Sequence, residues 1–269
     1  MRVSRAESAV THALLVIASI IAVYPLVSIV MSSLDGGAAG GDGLGLNNFA
    51  VAWERGGFGN ALLSSAAISI TVVLVTVAVV CLAGYALATM QVPGGRVILL
   101  VLLLGLVLPY EVTVLPLYQM MSQWNLLDTS WALILPQIGL SVPLGVFWMR
   151  SFFASVPVEL LEAARIDGAS RFEVMRLVLL PIAGPAVGTL STILFLFTWN
   201  EFLLALILVP QNELVQTAPL ALSFFAGAGR ASDPGVTAAA AVLVALPIVL
   251  AYVLLQRRLI TGLTEGAVK

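Results

Sequence analysis

The chain has 269 residues, of which 60% are hydrophobic and 10% are charged, and its mean hydropathy is +1.07. Soluble domains carry a charge on about a quarter of their residues, so this composition excludes an ordinary soluble domain and belongs to the membrane class. The net charge of −2 says nothing about partners.

Six segments are apolar over the roughly 20 residues that a helix needs to cross a bilayer. They are residues 10–31, 61–85, 97–121, 131–149, 183–209 and 236–256. The first follows Arg2 and Arg5, but no small-residue cleavage site is obvious, so we interpret it as an uncleaved helix rather than a secretion signal. The predicted fold class is therefore an all-α integral membrane protein with six transmembrane helices.

The basic residues predict the orientation of these helices. With the N-terminus in the cytoplasm, only Arg55 and Arg230 of the twelve basic residues fall in external segments, which leaves ten inside. Cytoplasmic segments of membrane proteins are enriched in lysine and arginine. Both termini are therefore predicted to be cytoplasmic.

We divide the chain into three parts. Residues 1–60 hold the N-terminal tail, the first transmembrane helix and a glycine-rich external linker, DGGAAGGDGLG at 35–45. Residues 61–256 form the main membrane domain, with one substantial cytoplasmic loop at 150–182. Residues 257–269 form a cytoplasmic tail.

Prolines interrupt three of the predicted spans. They are Pro109 and Pro116 in the third span, Pro136 and Pro143 in the fourth, and Pro247 in the sixth. Broken helices are tolerated inside a membrane where neighbours or a cavity satisfy the freed carbonyl groups. Such breaks can mark a pathway, and simple kinks for packing explain them equally well.

Cysteine, histidine and lysine each occur once in the chain, which excludes several common kinds of metal, disulfide and nucleotide site. The one cysteine, Cys81, excludes an intrachain disulfide and a thiolate metal cluster, and the one histidine, His12, excludes paired-histidine metal motifs. The one lysine is Lys269, so no phosphate-binding loop ending in Gly-Lys-Ser/Thr can form. We therefore predict no catalytic residue, metal or cofactor, and any nucleoside triphosphate that powers this protein must be hydrolysed by a partner.

The cytoplasmic loop contains a charged segment, ELLEAARIDGASRFEVMRLVLLP, in an otherwise apolar chain. Residues 157–167 predict a short helix that begins at a proline and carries Glu159 in its first turn, near the positive end of the helix dipole. Gly168 then permits a sharp change of direction or the close approach of another backbone. Ser170 with Glu173 is the pattern of a capping box and predicts the start of a second helix.

One spacing within this loop is specific: Glu-Ala-Ala, three residues, Gly, nine residues, an aliphatic residue, one residue, Leu-Pro. In this chain the pattern is filled by Glu162, Ala163, Ala164, Gly168, Val178, Leu180 and Pro181. It resembles the signature loop of permease subunits from binding-protein-dependent ABC importers. Val178 departs from it, since isoleucine is more usual there.

The resemblance extends to the carbohydrate branch of that family, the maltose-type permeases. It is carried by LPLYQMMSQWNLLDTSWALILP at 115–136, VFWMRSFFASVP before the loop, TWNEF at 198–202 and the ending LLQRRLITGLTEGAVK. Together these cover the chain from about Asn48 onward. Residues 88–95 depart from the pattern, because they lack the extra basic residues common there.

The resemblance implies the type I ABC importer permease fold and a mechanical role without chemistry. In the family, the loop forms a short helix that docks in a surface cleft of a cytoplasmic ATPase. The coupling residues it implies here are Glu162, Ala163, Ala164, Arg165, Asp167 and Gly168. Leu160, Leu161 and Ile166 are expected to offer apolar contact to the ATPase.

The resemblance also implies the partners and the location. We expect a second homologous permease, two cytoplasmic ABC ATPase subunits, an extracytoplasmic sugar-binding protein and the lipid bilayer, with no nucleic acid. The expected location is the inner or plasma membrane of a bacterium or archaeon.

Ionisable residues inside spans are costly and are candidates for function. A straight helix with a rise of about 1.5 Å per residue would place Glu111 roughly 22 Å and Glu201 roughly 28 Å from the cytoplasmic ends of their spans, in the outer half of the membrane. The substrate-pathway candidates are Glu111, Tyr118, Gln137, Trp199, Asn200 and Glu201. Carboxylates and amides beside aromatic faces suit a sugar. Alternatively, Asn200 and Glu201 pair with neighbouring helices or backbone and touch no substrate.

The predicted function is that of a permease subunit of an ATP-driven importer, which translocates a sugar, most simply a di- or oligosaccharide, delivered by a binding protein. A glycerol-phosphate diester or a polyol is the alternative cargo, and the scarcity of external arginines favours a neutral sugar. A secondary transporter working alone is expected to show internal repeats or ion-coupling charges, and no convincing repeat is present. A membrane-embedded enzyme would need a nucleophile–base or metal set, which the sequence lacks.

Overall fold

The computed structural model describes residues 5–35, 44–227 and 233–267, and the side chains of residues 7–35, 44–227 and 233–253. Most of the predicted external linker, at 36–43, lies outside the described residues, as do Arg2, Arg230 and Lys269. Within the described ranges the secondary structure is helical, apart from an isolated β-bridge between Asp35 and Leu44.

The helices are numbered here in chain order. They are α1 Arg5–Leu34, α2 Asn47–Gly56, α3 Phe58–Thr89, α4 Gly95–Val107, α5 Tyr110–Gln123, α6 Ser130–Ser155, α7 Val158–Ile166, α8 Arg171–Ile182, α9 Gly184–Trp199, α10 Leu203–Leu208, α11 Ala218–Gly227 and α12 Pro234–Ala267. The middle of α8, Val174–Leu179, is a π-helix.

The helix lengths confirm the prediction of an all-α membrane fold. Among the described residues, α1, α3, α6 and α12 are each long and apolar enough to cross a bilayer. The pairs α4–α5 and α8–α9 pass the same test jointly, although they are bent by 102° and 76°. Counting each bent pair as one span gives the six spans expected from the sequence.

The third predicted span is broken at Leu108 and Pro109. The proline disfavours a helical conformation for the residue before it, and Leu108 is extended, with φ −66° and ψ 128°. The other prolines noted in the sequence lie inside α5, α6 and α12 without ending them. Because of the 102° bend, the straight-helix depth predicted for Glu111 is wrong.

The fifth predicted span, 183–209, has different limits in the structure. The helical pair that replaces it begins at Arg171 and ends at Trp199, and α10 is a separate short helix. The π-helical stretch lies directly ahead of Pro181, which has no N–H to donate to the helix backbone. The bend follows at Ala183, between α8 and α9.

The chain divides into two compact units. One comprises Met1–Gly59 with Ala221–Leu246, and the other Asn60–Leu220 with Pro247–Lys269. In the first unit, the Asn48 amide donates to the carbonyl of Ser33 at 3.2 Å and to that of Asp35 at 2.7 Å, which ties α2 to the end of α1. Most of the apolar length of α1 is exposed, as expected of a surface that meets lipid or another chain.

In the second unit, α3 and α6 lie close together and run in the same direction. A Cβ added at Gly84 would lie 2.9 Å from the backbone nitrogen of Arg150, and one added at Gly145 would lie 2.7 Å from the Val80 side chain. Small residues at such contacts let transmembrane helices approach closely. Both glycines therefore determine how tightly this pair packs.

Two apolar clusters fill the second unit. The elbow-end cluster gathers at the C-terminal parts of α3 and α6 and includes Val80, Met149, Phe153, Leu161 and Val174. The far-end cluster lies toward the N-terminal parts of the same helices and includes Ile68, Val72, Leu133, Leu204 and Leu208. The helix at Val158–Ile166 packs against the first cluster through Leu161, and α5 and α10 pack against the second.

Candidate functional site

The charged segment folds as a helix, a glycine turn and a second helix, as its sequence predicts. We call residues 158–173 the elbow: α7, the turn at 167–170 and the first turn of α8. Val158–Ile166 is helical, and Pro157 precedes it with an extended backbone. The elbow therefore interrupts the membrane helices at the position where the coupling loop was expected.

Gly168 is required by its backbone conformation. Its φ is +86°, in a region that L-residues rarely adopt. Its N–H donates to the Arg165 carbonyl, and the Ala169 N–H donates to the Ala164 carbonyl, both at 3.0 Å, which is the Schellman pattern of a helix end. A Cβ added at Gly168 would meet nothing within 4 Å. Within this chain, the glycine therefore serves the change of direction and not a close backbone approach.

The second half of the elbow begins with the predicted capping box. The Ser170 N–H donates to the Glu173 carboxylate at 2.7 Å, and the Glu173 N–H donates to the Ser170 hydroxyl at 3.3 Å. Both bonds are local, so the turn satisfies these backbone donors without help from another element.

The two faces of α7 are used differently. Leu161 is 6% exposed and belongs to the elbow-end cluster, and Ala164 packs against the same cluster. The expectation that Leu161 would offer contact to an ATPase is therefore wrong, because this side chain anchors the elbow to its own chain. Ile166, by contrast, is 86% exposed.

The remaining coupling candidates lie on the outer surface of the elbow. Glu162, Ala163, Arg165, Asp167 and Gly168 are all exposed. With Ile166, they form a surface of small, apolar and charged groups. Such a surface suits docking, since interface charges set orientation and partner choice.

Two of the pathway candidates satisfy backbone groups at the break after α9. The Asn200 amide donates to the Leu196 carbonyl at 2.7 Å, which caps the end of α9. The Glu201 carboxylate accepts the Leu204 N–H at 2.9 Å, in the first turn of α10. These bonds favour the alternative left open by the sequence, in which both residues pair with nearby backbone.

Two further candidates share the exposed face of α5. Glu111 and Tyr118 are seven residues apart, close to two full turns of an α-helix, and both are exposed. Val114 and Met121, each three residues further along, lie on the neighbouring stripe of α5 and are buried in the far-end cluster. Glu111 and Tyr118 therefore lie beside the packed surface of α5 and are themselves exposed.

The last two candidates are buried. Trp199 is 3% exposed, and its ring lies 5.5 Å from that of Phe195. Gln137 is 5% exposed, and its side-chain oxygen has no hydrogen-bond partner among the residues that the structure describes. The six candidates thus divide between exposed and buried positions and do not share one surface.

Comparison with known families identifies the chain. Residues 81–264 match the family described as the binding-protein-dependent transport system inner membrane component. The chain belongs to this family. It is thus a multi-pass permease rather than an enzyme, as predicted from the signature spacing.

Individual relatives and a solved structure agree with this assignment. The permease is 36% identical over 213 residues to the trehalose transport system permease protein SugB of Mycobacterium tuberculosis, covering 79% of this chain and 77% of the relative. It is 31% identical to the diacetylchitobiose uptake system permease protein NgcG of Streptomyces coelicolor, over 97% and 89% of the two chains. It is 34% identical to the arabinooligosaccharides transport system permease protein AraQ of Halalkalibacterium halodurans, over 84% and 80%.

A chain from the crystal structure of a bacterial ABC transporter, involved in the import of the acidic polysaccharide alginate, has the same fold. It superposes on the permease with a TM-score of 0.76 at 20% sequence identity, covering 96% of this chain and 99% of that one. At this identity the likeness establishes the fold alone, and it confirms the predicted ABC importer permease fold.

The permease contains a clasp that the sequence analysis missed. The Asp128 carboxylate accepts the N–H groups of Gln211 at 3.0 Å and Asn212 at 3.4 Å, and its carbonyl accepts the Asn212 amide at 2.9 Å. Asp128 itself has a φ of +58°. The clasp fixes the turn before α6 against the segment after α10. An aspartate in the short segment between two predicted spans was the available signal, but its partners are distant in sequence.

Tyr85 provides a second contact that was not predicted. Its hydroxyl donates to the Arg171 carbonyl at 2.9 Å, which ties the start of α8 to α3. A buried tyrosine needs a partner for its hydroxyl, so a tyrosine within an apolar span was the signal. The elbow is thus held to its chain at Leu161 and at Arg171.

Proposed function

We propose that this chain is one of two permease subunits of an ATP-driven importer of a di- or oligosaccharide, located in the plasma membrane of a bacterium or archaeon. The three relatives above are named for the transport of trehalose, diacetylchitobiose and arabinooligosaccharides, which supports a sugar as cargo. The other proposed components are a second homologous permease, two cytoplasmic ATPases and an extracytoplasmic sugar-binding protein.

The proposed orientation places both termini and the elbow in the cytoplasm. It is supported by the basic residues, ten of twelve of which fall on that side. In the same proposal, residues 61–256 carry the transport function, residues 1–60 provide the additional first span and its external linker, and residues 257–269 form a cytoplasmic tail.

The elbow is proposed to receive the motion of the ATPases. The observation that carries this proposal is that the two faces of α7 differ. Leu161 anchors the helix to its own chain, and the outer surface remains exposed. Glu162, Arg165 and Asp167 would pair with the ATPase, and Ile166 would enter its cleft. A helix held rigidly at its base can pass a push to the spans on either side, which is the requirement for a rigid-body switch.

The pathway is proposed to require both permeases. Glu111, Tyr118 and Asn200 are exposed on this chain, so a second subunit facing them would complete an enclosed site. Gln137 is proposed to contribute separately, because its buried side-chain oxygen can accept a hydrogen bond from a hydroxyl or a water molecule. Trp199 and Glu201 would shape the break that brings these groups to the surface.

Purification of the complete complex with its binding protein tests the proposal. Mass spectrometry of the retained solute should detect a neutral di- or oligosaccharide, and proteoliposomes containing the complex should take up that sugar only with internal ATP. Uptake by this chain without an ATPase would overturn the proposal in favour of a secondary transporter. Retention of an anionic phosphodiester would overturn the sugar assignment alone.

A matched pair of variants tests the coupling role within the same assay. Glu162→Gln keeps the size of a side chain on the outer surface but removes its charge, and Glu159→Gln makes the same change one turn earlier on the helix, outside the signature. Uptake should fall in the first variant and stay near the wild-type rate in the second. Equal effects would contradict a specific role for Glu162.

A further inference from the structure

Two cavities lie in the second unit between α3 and the segment formed by the elbow, α8 and α9. We call this line of contact between α3 and that segment the seam. The first has a volume of about 480 Å³ and is lined almost entirely by apolar groups, among them Val77, Cys81, Phe172, Met175 and Val187. It lies between the membrane part of α3 and the bent pair α8–α9. A cavity of this size and composition suits hydrocarbon.

The second cavity lies at the end of α3 and has a different chemistry. It has a volume of about 620 Å³ and is lined by residues 89–93 together with Arg165 and Arg171. No acidic side chain is among its lining residues, so the charge of the two guanidinium groups is uncompensated within the cavity. A planar guanidinium group binds phosphate oxygens in a bidentate manner, and two of them favour an anionic group there.

The two cavities are neighbours along the seam. Arg171 and Phe172 are consecutive residues of α8, and one lines the basic cavity while the other lines the apolar cavity. On α3, Leu82 of the apolar cavity and Thr89 of the basic cavity are seven residues apart, on one stripe of the helix. The seam therefore changes from apolar to basic within about two helical turns.

We propose that this seam binds an anionic phospholipid of the cytoplasmic leaflet, with its phosphate between Arg165 and Arg171 and an acyl chain in the apolar cavity. The combination favours an amphiphile over a free anion, because a free anion would leave the apolar half unused. Basic pockets between transmembrane helices on the cytoplasmic side are a known setting for anionic headgroups. The inference rests on the proposed orientation of the elbow toward the cytoplasm.

A lipid bound at this position would affect transport, because both arginines belong to the elbow. Arg165 belongs to the outer surface of the elbow, and Arg171 is the residue at which Tyr85 holds α8. A phosphate bound between the two arginines would link α7 to the start of α8, one helical turn beyond Leu161. The anionic lipid content of the membrane would then set how firmly the elbow transmits motion.

Three variants of this chain, each in the complete purified complex, test the lipid site. Arg171→Gln removes one guanidinium group but keeps the carbonyl to which Tyr85 donates. Gly184→Leu fills the apolar cavity, which Gly184 also lines, at a position where an added Cβ meets nothing within 4 Å. Arg176→Gln is the control, since it removes an exposed arginine of the same helix that lines neither cavity.

Binding is measured by native mass spectrometry with phosphatidylglycerol and phosphatidylethanolamine of equal chain length. The wild-type complex should retain phosphatidylglycerol preferentially. Arg171→Gln should weaken this binding about fivefold, the factor that corresponds to about 1 kcal/mol per basic residue near the membrane surface. Gly184→Leu should weaken it roughly tenfold by excluding about two methylene groups from the cavity. Arg176→Gln should retain the wild-type level.

Several results would overturn the inference. Equal retention of the two lipids would show that the site does not select an anionic headgroup. Loss of binding in the control as large as in Arg171→Gln would show nonspecific attraction to positive charge. Unchanged binding in Gly184→Leu, or displacement of the lipid by millimolar glycerol 3-phosphate, would show a headgroup-only anion site. None of these readouts depends on the identity of the transported sugar, so failure of the lipid site can be distinguished from failure of the proposed sugar transport.

Discussion

The elbow and the break after α9 both interrupt membrane helices with polar residues, but they use those residues in opposite ways. In the elbow, backbone groups and the Ser170–Glu173 box satisfy the turn, and the signature side chains at 162, 165 and 167 stay exposed. In the break, Asn200 and Glu201 themselves satisfy the backbone. The elbow therefore leaves its charged side chains exposed, whereas the break uses its polar groups to hold its own shape.

This difference distinguishes residues that have a functional role from residues that have a structural role, in two motifs that look alike in sequence. A polar side chain that bonds to backbone within four residues has a structural role that its own chain already explains. An exposed polar side chain that makes no bond to the backbone of its own helix has no such structural role. Its role is then expected to involve a partner outside the chain. Substitutions should therefore impair coupling at the elbow and stability at the break.

The largest effect is expected for Gly168→Asp. An L-residue at φ +86° costs about 1–2 kcal/mol, and a bulky acid would also disturb the proposed ATPase contact. ATP-dependent uptake should fall at least about tenfold while the complex still assembles. Gly57→Asp is the control, because Gly57 also has a positive φ, +61°, and open space around it. Near-normal uptake by Gly168→Asp, or equal loss in both variants, would contradict coupling at this residue.

A pair of substitutions on α7 distinguishes the roles of its buried face and its exposed face. Leu161→Ala removes a buried side chain and should destabilise the permease by about 2 kcal/mol or more, seen as a lower midpoint of thermal unfolding in detergent. Ile166→Ala should change stability by less than about 0.5 kcal/mol, since Ile166 is 86% exposed, but it should weaken binding of the ATPase subunits. The opposite assignment of the two effects would refute the division between anchoring and docking faces.

Substitution of Asp128 extends the comparison to the clasp. Asp128→Ala leaves the N–H groups of Gln211 and Asn212 without their acceptor and places alanine at a positive φ, so a loss of about 2 kcal/mol is expected. Asp128→Asn retains an acceptor oxygen and tolerates this conformation, so it should lose less than half as much. Equal thermal shifts in the two variants would show that the hydrogen bonds contribute little.

The smallest effect is expected at Glu201. Glu201→Ala should cost about 1 kcal/mol through the lost bond to the Leu204 N–H, whereas Glu201→Gln keeps an acceptor and should stay close to wild type in both thermal stability and sugar uptake. A strong loss of uptake by Glu201→Gln at unchanged stability would instead assign the carboxylate to the substrate pathway.

Local chemistry explains why part of the candidate site was predictable. The Ser170–Glu173 box and the turn at Gly168 depend on residues within five positions of each other, so spacing alone predicted them. The inward orientation of Leu161 was not predictable, because in a short helix flanked by charges either apolar stripe can face the core. The burial of Gln137 and the partners of Asp128 also depend on segments far away in the sequence.

By itself, the sequence determined that this protein is a helical membrane permease with a signature elbow, because apolar run length and a short motif are both properties of neighbouring residues. Tertiary structure alone decided the angles of the two bends, 102° and 76°, and which face of α7 anchors the elbow. It also brought the apolar and basic cavities together along one seam. The physical reason is that bend angles, burial and cavities depend on which distant helices come to pack against each other.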